Sequence, residues 1–259
     1  MARIKGSGAR GGRGSPSGRR SAGRAPLVSV VIPVYNEENI LFSSIQSLHH
    51  RLMSRFDFKF EIIISENGST DRTRRIAAGL AERYPEVKVL EHPAPNYGQA
   101  LKNGIAHAIG RYVVCDEIDL CDTDFYYRAL DLLEGGEADL VIGSKLIHGA
   151  RDERPWMRHL GSMTINALLK VLLDFSGTDT HGVKAFRRES ILPVVMECVV
   201  DRDMFASELV IRSERAGRRI MEIPVHVAEK RRPSLNLARR VPGVLKHLAI
   251  LVYAIRVRG

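Results

Sequence analysis

GRYVVCDEIDLCDTD, residues 110–124, joins a short apolar run to a sudden crowd of acids. Tyr112, Val113, Val114 and Cys115 have the length and β-branched character of a buried parallel strand. In open α/β sheets ligands gather just beyond the carboxyl ends of such strands, and Asp116, Glu117, Asp119, Asp122 and Asp124 fall there. Asp122 and Asp124 have a purely structural use, as acids that favour the dipole of the next helix and help to cap it. Glu117 and Asp119 differ: one residue apart on extended backbone, they would project to the same side. Two hard carboxylates of this kind suit Mg²⁺ or Mn²⁺ shared with substrate phosphates. On the same geometry Asp116 points to the opposite face.

Upstream, the rhythm of strand, turn and helix recurs. Residues 27–34 (LVSVVIPV) are a near-continuous apolar run, followed by Tyr35-Asn36-Glu37-Glu38-Asn39 and a helical spacing of Ile40, Leu41, Ile45, Leu48 and Leu52. Residues 60–65 (FEIIIS) begin a second unit, with Glu66-Asn67-Gly68-Ser69-Thr70-Asp71 as its turn and a helix over 72–83 capped by Ser69 or Thr70. A third strand at 87–91 leads through Asn96-Tyr97-Gly98-Gln99 to a helix at 100–109. Beyond the acidic strand come a helix at 125–133 and a strand at 138–142. This alternation predicts βαβ units and an α/β fold, a mostly parallel sheet flanked by helices.

The second half breaks the rhythm. Residues 145–155 are polar and long enough to make a mobile substrate loop, and 156–173 have helical apolar spacing. Residues 177–186 (GTDTHGVKAF) crowd polar groups too closely for a plain core segment. In the helix expected over 203–215, Glu208 stands among Phe205, Leu209 and Ile211, so it is either on an exposed flank or paired in use. A strand over 219–227 (RIMEIPVHV) ends near a basic turn, Glu229 to Ser234. Residues 241–257 read as a terminal helix suited to a membrane surface, a partner or docking on the core.

The 259 residues, 44% of them hydrophobic, suffice for one domain with a large core. A net charge of +9 admits nucleic acid, a membrane surface or a phosphorylated substrate as partner. Much of the excess lies in residues 1–25, a Gly/Ser/Arg segment too poor in apolar side chains to offset its ordering entropy. It reads as a disordered basic tail, with no specific nucleic acid as partner and no apolar middle of a secretory signal. Cys115, Cys121 and Cys198 form neither a metal-ligand spacing nor an even disulfide set, which fits a reducing compartment. The longest uncharged apolar run, 248–255, is far below the ~20 residues that span a bilayer.

Nine segments taken in order carry a resemblance: VSVVIPVYNEE, ISENGSTDRT, NYGQALKNG, the acidic strand, VIGSK, RHLGS, GTDTHGVKAF, SEL and MEIPV. Over about residues 26–240 the chain resembles the family-2 glycosyltransferases, and within them the dolichol-phosphate mannose synthase and polyprenyl-phosphate glycosyltransferase group. The resemblance implies a GT-A fold over 26–235, between the tail and a C-terminal apolar or amphipathic helix at 236–259. It implies a GDP- or UDP-sugar donor, Mg²⁺ or Mn²⁺, inverting transfer and a polyprenyl phosphate acceptor. Pro33, Tyr35, Glu37, Glu66, Asn67, Gly98 and Lys102 match its donor-binding segments, although Gly98 has a conformational reading too. Glu117 and Asp119 match its metal ligands and, with Arg158 and Lys184, its catalytic set. Lys145, Arg158, Ser162, Lys184, Arg232 and Ser234 match regions that contact the acceptor phosphate. The implied setting is cytoplasmic, peripheral at the cytoplasmic face of a membrane, with that surface or a membrane-anchoring subunit as partner.

The chain also departs from the family pattern. Glu117-Ile118-Asp119 stands where Asp-x-Asp is usual, Cys121 where related lipid-phosphate enzymes often carry Gln, and Ala206 where relatives place the first member of an acid pair. Ala206 removes a carboxylate base at that position. A sugar hydroxyl needs such a base to become a nucleophile, whereas a phosphate monoester, with a second pKa near 6, is already an anion at neutral pH. Transfer to a glycan or small-molecule hydroxyl is the enzymatic alternative and would need Asp179 or Glu208 as base. A non-catalytic nucleotide-sugar-binding protein on a degenerate scaffold is the alternative of another class.

Overall fold

The run Val28–Val34 forms β1, buried at every residue, so its backbone polar groups must be met by strands on both sides. It pairs in parallel with β2 (Phe60–Glu66) on one side and β4 (Tyr112–Cys115) on the other, and β3 (Val87–Glu91) adds in parallel beyond β2. The helices α1 (Leu41–Arg55), α2 (Thr73–Arg83) and α3 (Tyr97–His107) connect these strands. The protein is represented by a computed structural model that describes residues 27–55, 58–152, 156–227 and 237–257.

After β4 come α4 (Thr123–Glu134), β5 (Leu140–Ser144), a short β6 (Arg151–Asp152) and α5 (Trp156–Leu173). They are followed by β7 (Lys184–Arg187), α6 (Arg188–Glu197), α7 (Phe205–Arg215), β8 (Ile220–Pro224), β9 (His226–Val227) and α8 (Leu237–Arg256). The main sheet runs β3-β2-β1-β4-β7-β5-β8, and β7 lies antiparallel to both β4 and β5. β6 and β9 form a separate parallel pair.

Side chains alternate between two cores, as a period of two requires. Val30, Ile32, Ile62, Ile64, Tyr112 and Val114 pack under α1, α2 and α4, while Val31, Ile63, Val113, Leu140 and Ile142 pack under α3, α6, α7 and α8. The chain builds outward from β1 to β3, then crosses through α3 to β4 on the other flank of β1. The strand order therefore reverses between β1 and β4, and loops leaving a sheet in opposite directions open a crevice at its carboxyl edge there. Pro33 is tolerated in this central strand for a local reason. Val31 accepts the Asp116 N–H, and Pro33 faces the same side two residues on, where β4 has already ended.

Several elements differ from the sequence expectation. β7 lies in the polar segment 177–186, and α6, which holds Pro193, was not expected at all. The burial of β7 depends on β4, about 70 residues away in the chain, which local periodicity does not contain (Lys184 faces Cys115). α2 begins at Thr73 with no side-chain cap on Arg72; Asp71 takes the Thr73 N–H at 2.9 Å, while Ser69 and Thr70 bond to Asn36 instead. The start of the 145–155 segment is not a mobile loop: Lys145 is held in an ion pair, and Arg151–Asp152 is paired strand. The terminal helix buries Leu248, Leu251, Ala254 and Ile255 in the second core, so that face docks on the protein.

β5 and β7 approach so closely at Gly182 that a Cβ there would lie 1.8 Å from the Gly143 carbonyl oxygen, a backbone atom that cannot swing away. Gly182→Ala is expected to destabilise the fold by about 3 kcal/mol, read as a lower urea midpoint at unchanged slope.

Candidate active site

The β1–α1 and β2–α2 loops are laced together at the crevice. Asn36, with φ 54°, donates its N–H to Ser69 Oγ at 3.0 Å, and its Oδ1 accepts the Thr70 N–H at 2.9 Å. The Glu37 N–H meets Thr73 Oγ1 at 2.8 Å, and Glu38 accepts both the N–H and Nε of Arg72 at 3.0 and 3.1 Å. These bonds hold Tyr35, 42% exposed, at the rim. Glu66 ends β2 fully buried and accepts the Ser69 N–H at 2.5 Å, and Asn67 Oδ1 accepts the Asn96 N–H at 2.6 Å. As candidates for a ribose, Glu66 and Asn67 thus also shape the turn they belong to.

The acidic stretch corrects the extended-backbone expectation. β4 stops at Cys115, and the chain bends into a turn in which the Leu120 N–H returns to the Glu117 carbonyl at 3.0 Å. Ile118 is driven into the first core with no exposure, which leaves its neighbours Glu117 and Asp119 half-buried at the surface of the turn. Asp116 is the buried acid that supports this turn. It accepts the Tyr126 hydroxyl at 2.7 Å and the N–H groups of Glu117 and Asp122 at 2.6 and 3.1 Å. Burial pushes the Asp116 carboxyl up to about 7, against the Tyr126 hydroxyl and the two N–H groups that favour its ionised form. Asp122 caps α4 by accepting the N–H groups of Asp124 and Phe125.

Cations face this turn because of strand register. Antiparallel pairing sets Lys184 directly opposite Cys115, the residue that precedes the acids. Lys184 is 3% exposed and donates to the Gly182 carbonyl at 2.7 Å. Burial lowers its ammonium to about 8, with the charges of Asp179 and, more weakly, Glu117 acting in opposition. Lys145, just past β5, pairs with the fully buried Asp179 at 3.0 Å. Burial works against the Asp179 carboxylate, but Lys145 and the His181 N–H outweigh it and hold the group below the ordinary aspartate value. Glu222 of β8 secures the same loop, accepting the Thr178 N–H and hydroxyl at 2.7 and 2.6 Å and the Asp179 N–H at 3.2 Å.

Other expected residues scatter more widely. The Lys102 ammonium is engaged within the fold, meeting the carbonyls of Cys198 and Met196 at the end of α6 at 2.6 and 3.2 Å. Gly98 has a packing role, since a Cβ would lie 2.7 Å from the Arg202 nitrogen and 2.8 Å from the Phe205 Cβ. Arg158 and Ser162 are one turn apart on α5, on one face of that helix. Ser162 is half-buried, while the side chain of Arg158 and all of Arg232 and Ser234 lie outside the described residues. Glu208 is fully buried and accepts the Val199 and Val200 N–H groups and, at 2.7 Å, Nε of Arg212. Asp116 and Glu222 are parts of the site's frame that sequence reasoning did not assign. The only sequence signals for them were an acid adjoining a strand end and an acid inside a strand.

Among the described residues no group of three His, Cys, Asp or Glu side chains could cage a metal. Glu117 and Asp119 fit the other mode, in which Mg²⁺ or Mn²⁺ is bound by one or two carboxylates and completed by substrate phosphates.

A doubly wound sheet with acids at its reversal point and buried ammonium groups opposite them defines a GT-A fold. The family model for glycosyl transferase family 2 matches residues 29–195, and the chain belongs to that family. Glycosyltransferase AglD of Haloferax volcanii is 30% identical over 243 residues, 89% of this chain but only 38% of the relative. Dolichyl-phosphate beta-glucosyltransferase ALG5D of Trichomonas vaginalis is 26% identical, with 87% of this chain and 73% of the relative covered. Undecaprenyl-phosphate 4-deoxy-4-formamido-L-arabinose transferase of Edwardsiella ictaluri is 29% identical, covering 79% and 61%. The chain thus spans less than two thirds of two of these three relatives. Among solved structures, glucosyl-3-phosphoglycerate synthase of Mycobacterium tuberculosis with UDP shares the fold at a TM-score of 0.63 and 22% identity, covering 88% of this chain and 80% of its own.

Lys145→Met would leave the Asp179 carboxylate buried without its counter-charge, which is expected to cost about 3–5 kcal/mol at pH 7. The pair's contribution exists above the ordinary aspartate range and is lost as pH falls through the lowered folded value. Urea titrations should therefore show the gap between wild type and variant narrowing on acidification.

Proposed function

We propose that this chain transfers a hexose from a GDP- or UDP-sugar to a polyprenyl phosphate with inversion at the anomeric carbon. The observation that carries the reading is the fate of the two carboxylates that a hydroxyl acceptor would need. Asp179 is committed to Lys145, and Glu208 to Arg212 and two backbone N–H groups. Both are paired inside buried structure rather than standing free as bases at a cleft, whereas Lys145 and Lys184 bring positive charge to the same edge. A phosphate acceptor requires cations and no base. The names of the polyprenyl-phosphate and dolichyl-phosphate relatives support the same choice.

In this reading Pro33, Tyr35, Glu37, Glu66 and Asn67 receive the base and ribose at the laced loops. Glu117 and Asp119 hold the divalent ion, which when bound neutralises charge on the departing diphosphate. Lys145, Lys184, Arg158 and Ser162, joined by Arg232 and Ser234, orient the acceptor phosphate. An acceptor oxygen forms the new bond to the anomeric carbon while the bond from that carbon to the diphosphate breaks. Inversion follows from the single displacement. The domain at 26–235 is the catalytic unit, working beside the cytoplasmic face of a membrane through its own surface or an anchoring subunit. Among the described residues no helix is long and apolar enough to cross a membrane.

Incubating the purified protein with membranes, Mg²⁺ or Mn²⁺ and a panel of labelled nucleotide sugars should move label into the lipid phase. Glu117→Ala and Asp119→Ala should each lower that transfer by about a hundredfold or more. Full-speed transfer by both variants refutes the assignment of the acids.

A further inference from the structure

Among the described residues four non-glycine positions adopt left-handed backbone: Asn36, Cys121, Asp174 and Arg202, with φ of 54°, 48°, 57° and 58°. Asn and Asp accept this conformation readily, while other side chains meet the following carbonyl and are strained. Cys121 closes the acidic turn, where its carbonyl receives Arg51 at 2.8 Å. Arg202 has no comparable role in the fold. It is exposed, and its guanidinium makes no hydrogen bond or ion pair among the described residues.

The backbone of Arg202 is nevertheless held firmly. Its N–H donates to Asn96 Oδ1 at 3.0 Å, and Asn96 Nδ2 donates to Asp201 Oδ2 at 2.7 Å. Asn96 in turn donates its own N–H to Asn67, in the turn assigned to the donor, at 2.6 Å. The bare Cα of Gly98 makes room for this segment, within 2.9 Å of the Asp201 carbonyl carbon by the position of a missing Cβ. A few residues on, Ser207 meets Thr180 at 2.8 Å, next to the Asp179 that pairs with Lys145. Arg202 is thus joined to the donor turn through Asn96, and the α7 residue Ser207, five positions on, meets the cationic loop. Strain retained by surrounding structure concentrates where a side chain must be presented to a ligand.

We propose that Arg202 is a phosphate-contacting residue of this site, its guanidinium fork presented to phosphoryl oxygens of the bound substrates. The inference rests on the nucleotide-sugar reading given above. The same chemistry is offered by the donor diphosphate and by the acceptor phosphate, and the link through Asn96 to Asn67 points to the donor.

The test compares wild type with Arg202→Gly, which removes the guanidinium and relieves the backbone, and Arg202→Lys, which keeps a charge. Calorimetric titration with UDP or GDP in the presence of Mg²⁺ should show about tenfold to a hundredfold weaker binding for the glycine variant, with the lysine variant in between. The glycine variant should also melt about 2–4 °C higher, a combination that a merely structural arginine would not give. In transfer assays a raised KM for the nucleotide sugar identifies the donor diphosphate, and a raised KM for the lipid phosphate identifies the acceptor. Unchanged binding and unchanged KM values for both substrates, or a lower melting temperature for Arg202→Gly, overturn the proposal while leaving the site reading intact. Wild-type protein that binds neither nucleotide overturns the site reading, and this inference with it.

Discussion

The antiparallel pairing of β4 with β7 is the constraint on which the site depends. It puts Lys184 opposite Cys115, so a desolvated ammonium lies beside the turn that carries the half-buried Glu117 and Asp119. A buried charge is costly unless something compensates it, and Asp179 is shared between Lys184 through space and Lys145 by direct contact. Two ammonium groups and one carboxylate leave a net positive edge. Opposite, Glu117 and Asp119 leave a negative one. Under the proposed function, a donor diphosphate at the acids and an acceptor phosphate at the lysines would satisfy both.

Much of the remaining polar structure keeps these groups in place without entering the chemistry. Asp116 has no surface to offer a ligand, yet its three accepted bonds determine where Glu117 and Asp119 emerge. Glu222 does the same for the loop that carries Asp179. Glu208 ties the end of α6 to α7 and Arg212. Each of these acids reads in isolation like a catalytic candidate. Hydrogen bonding turns each into framework, because its oxygens are already taken by donors of the fold. At Asp116 burial outweighs those donors and raises the carboxyl.

The acidic turn is anchored twice, by Ile118 in the core and by Asp116 beneath it. The longer side chain of Glu117 projects from a turn rather than from a strand, so its reach is not set by the pleat. Cys121 sits in left-handed backbone at the end of that turn, buried, with its thiol near the Glu117 and Ile118 carbonyls. Its thiol is one of three buried cysteines, each without a disulfide partner.

The α/β architecture was legible in the chain because parallel strands buried on both faces must be short apolar runs, and 27–34, 60–65 and 112–115 are such runs. The location of the acids followed from the same rule. What the chain alone did not contain was β7, α6 and the contacts of Lys102, Asp116, Glu222 and Arg202. A helix or strand made by its neighbours carries little local periodicity, and a carboxylate has the same letter whether it binds a metal or caps a turn. Only tertiary contacts, bringing residues 115 and 184 or 96 and 202 together, decide which charges are consumed by the fold and which remain for a substrate.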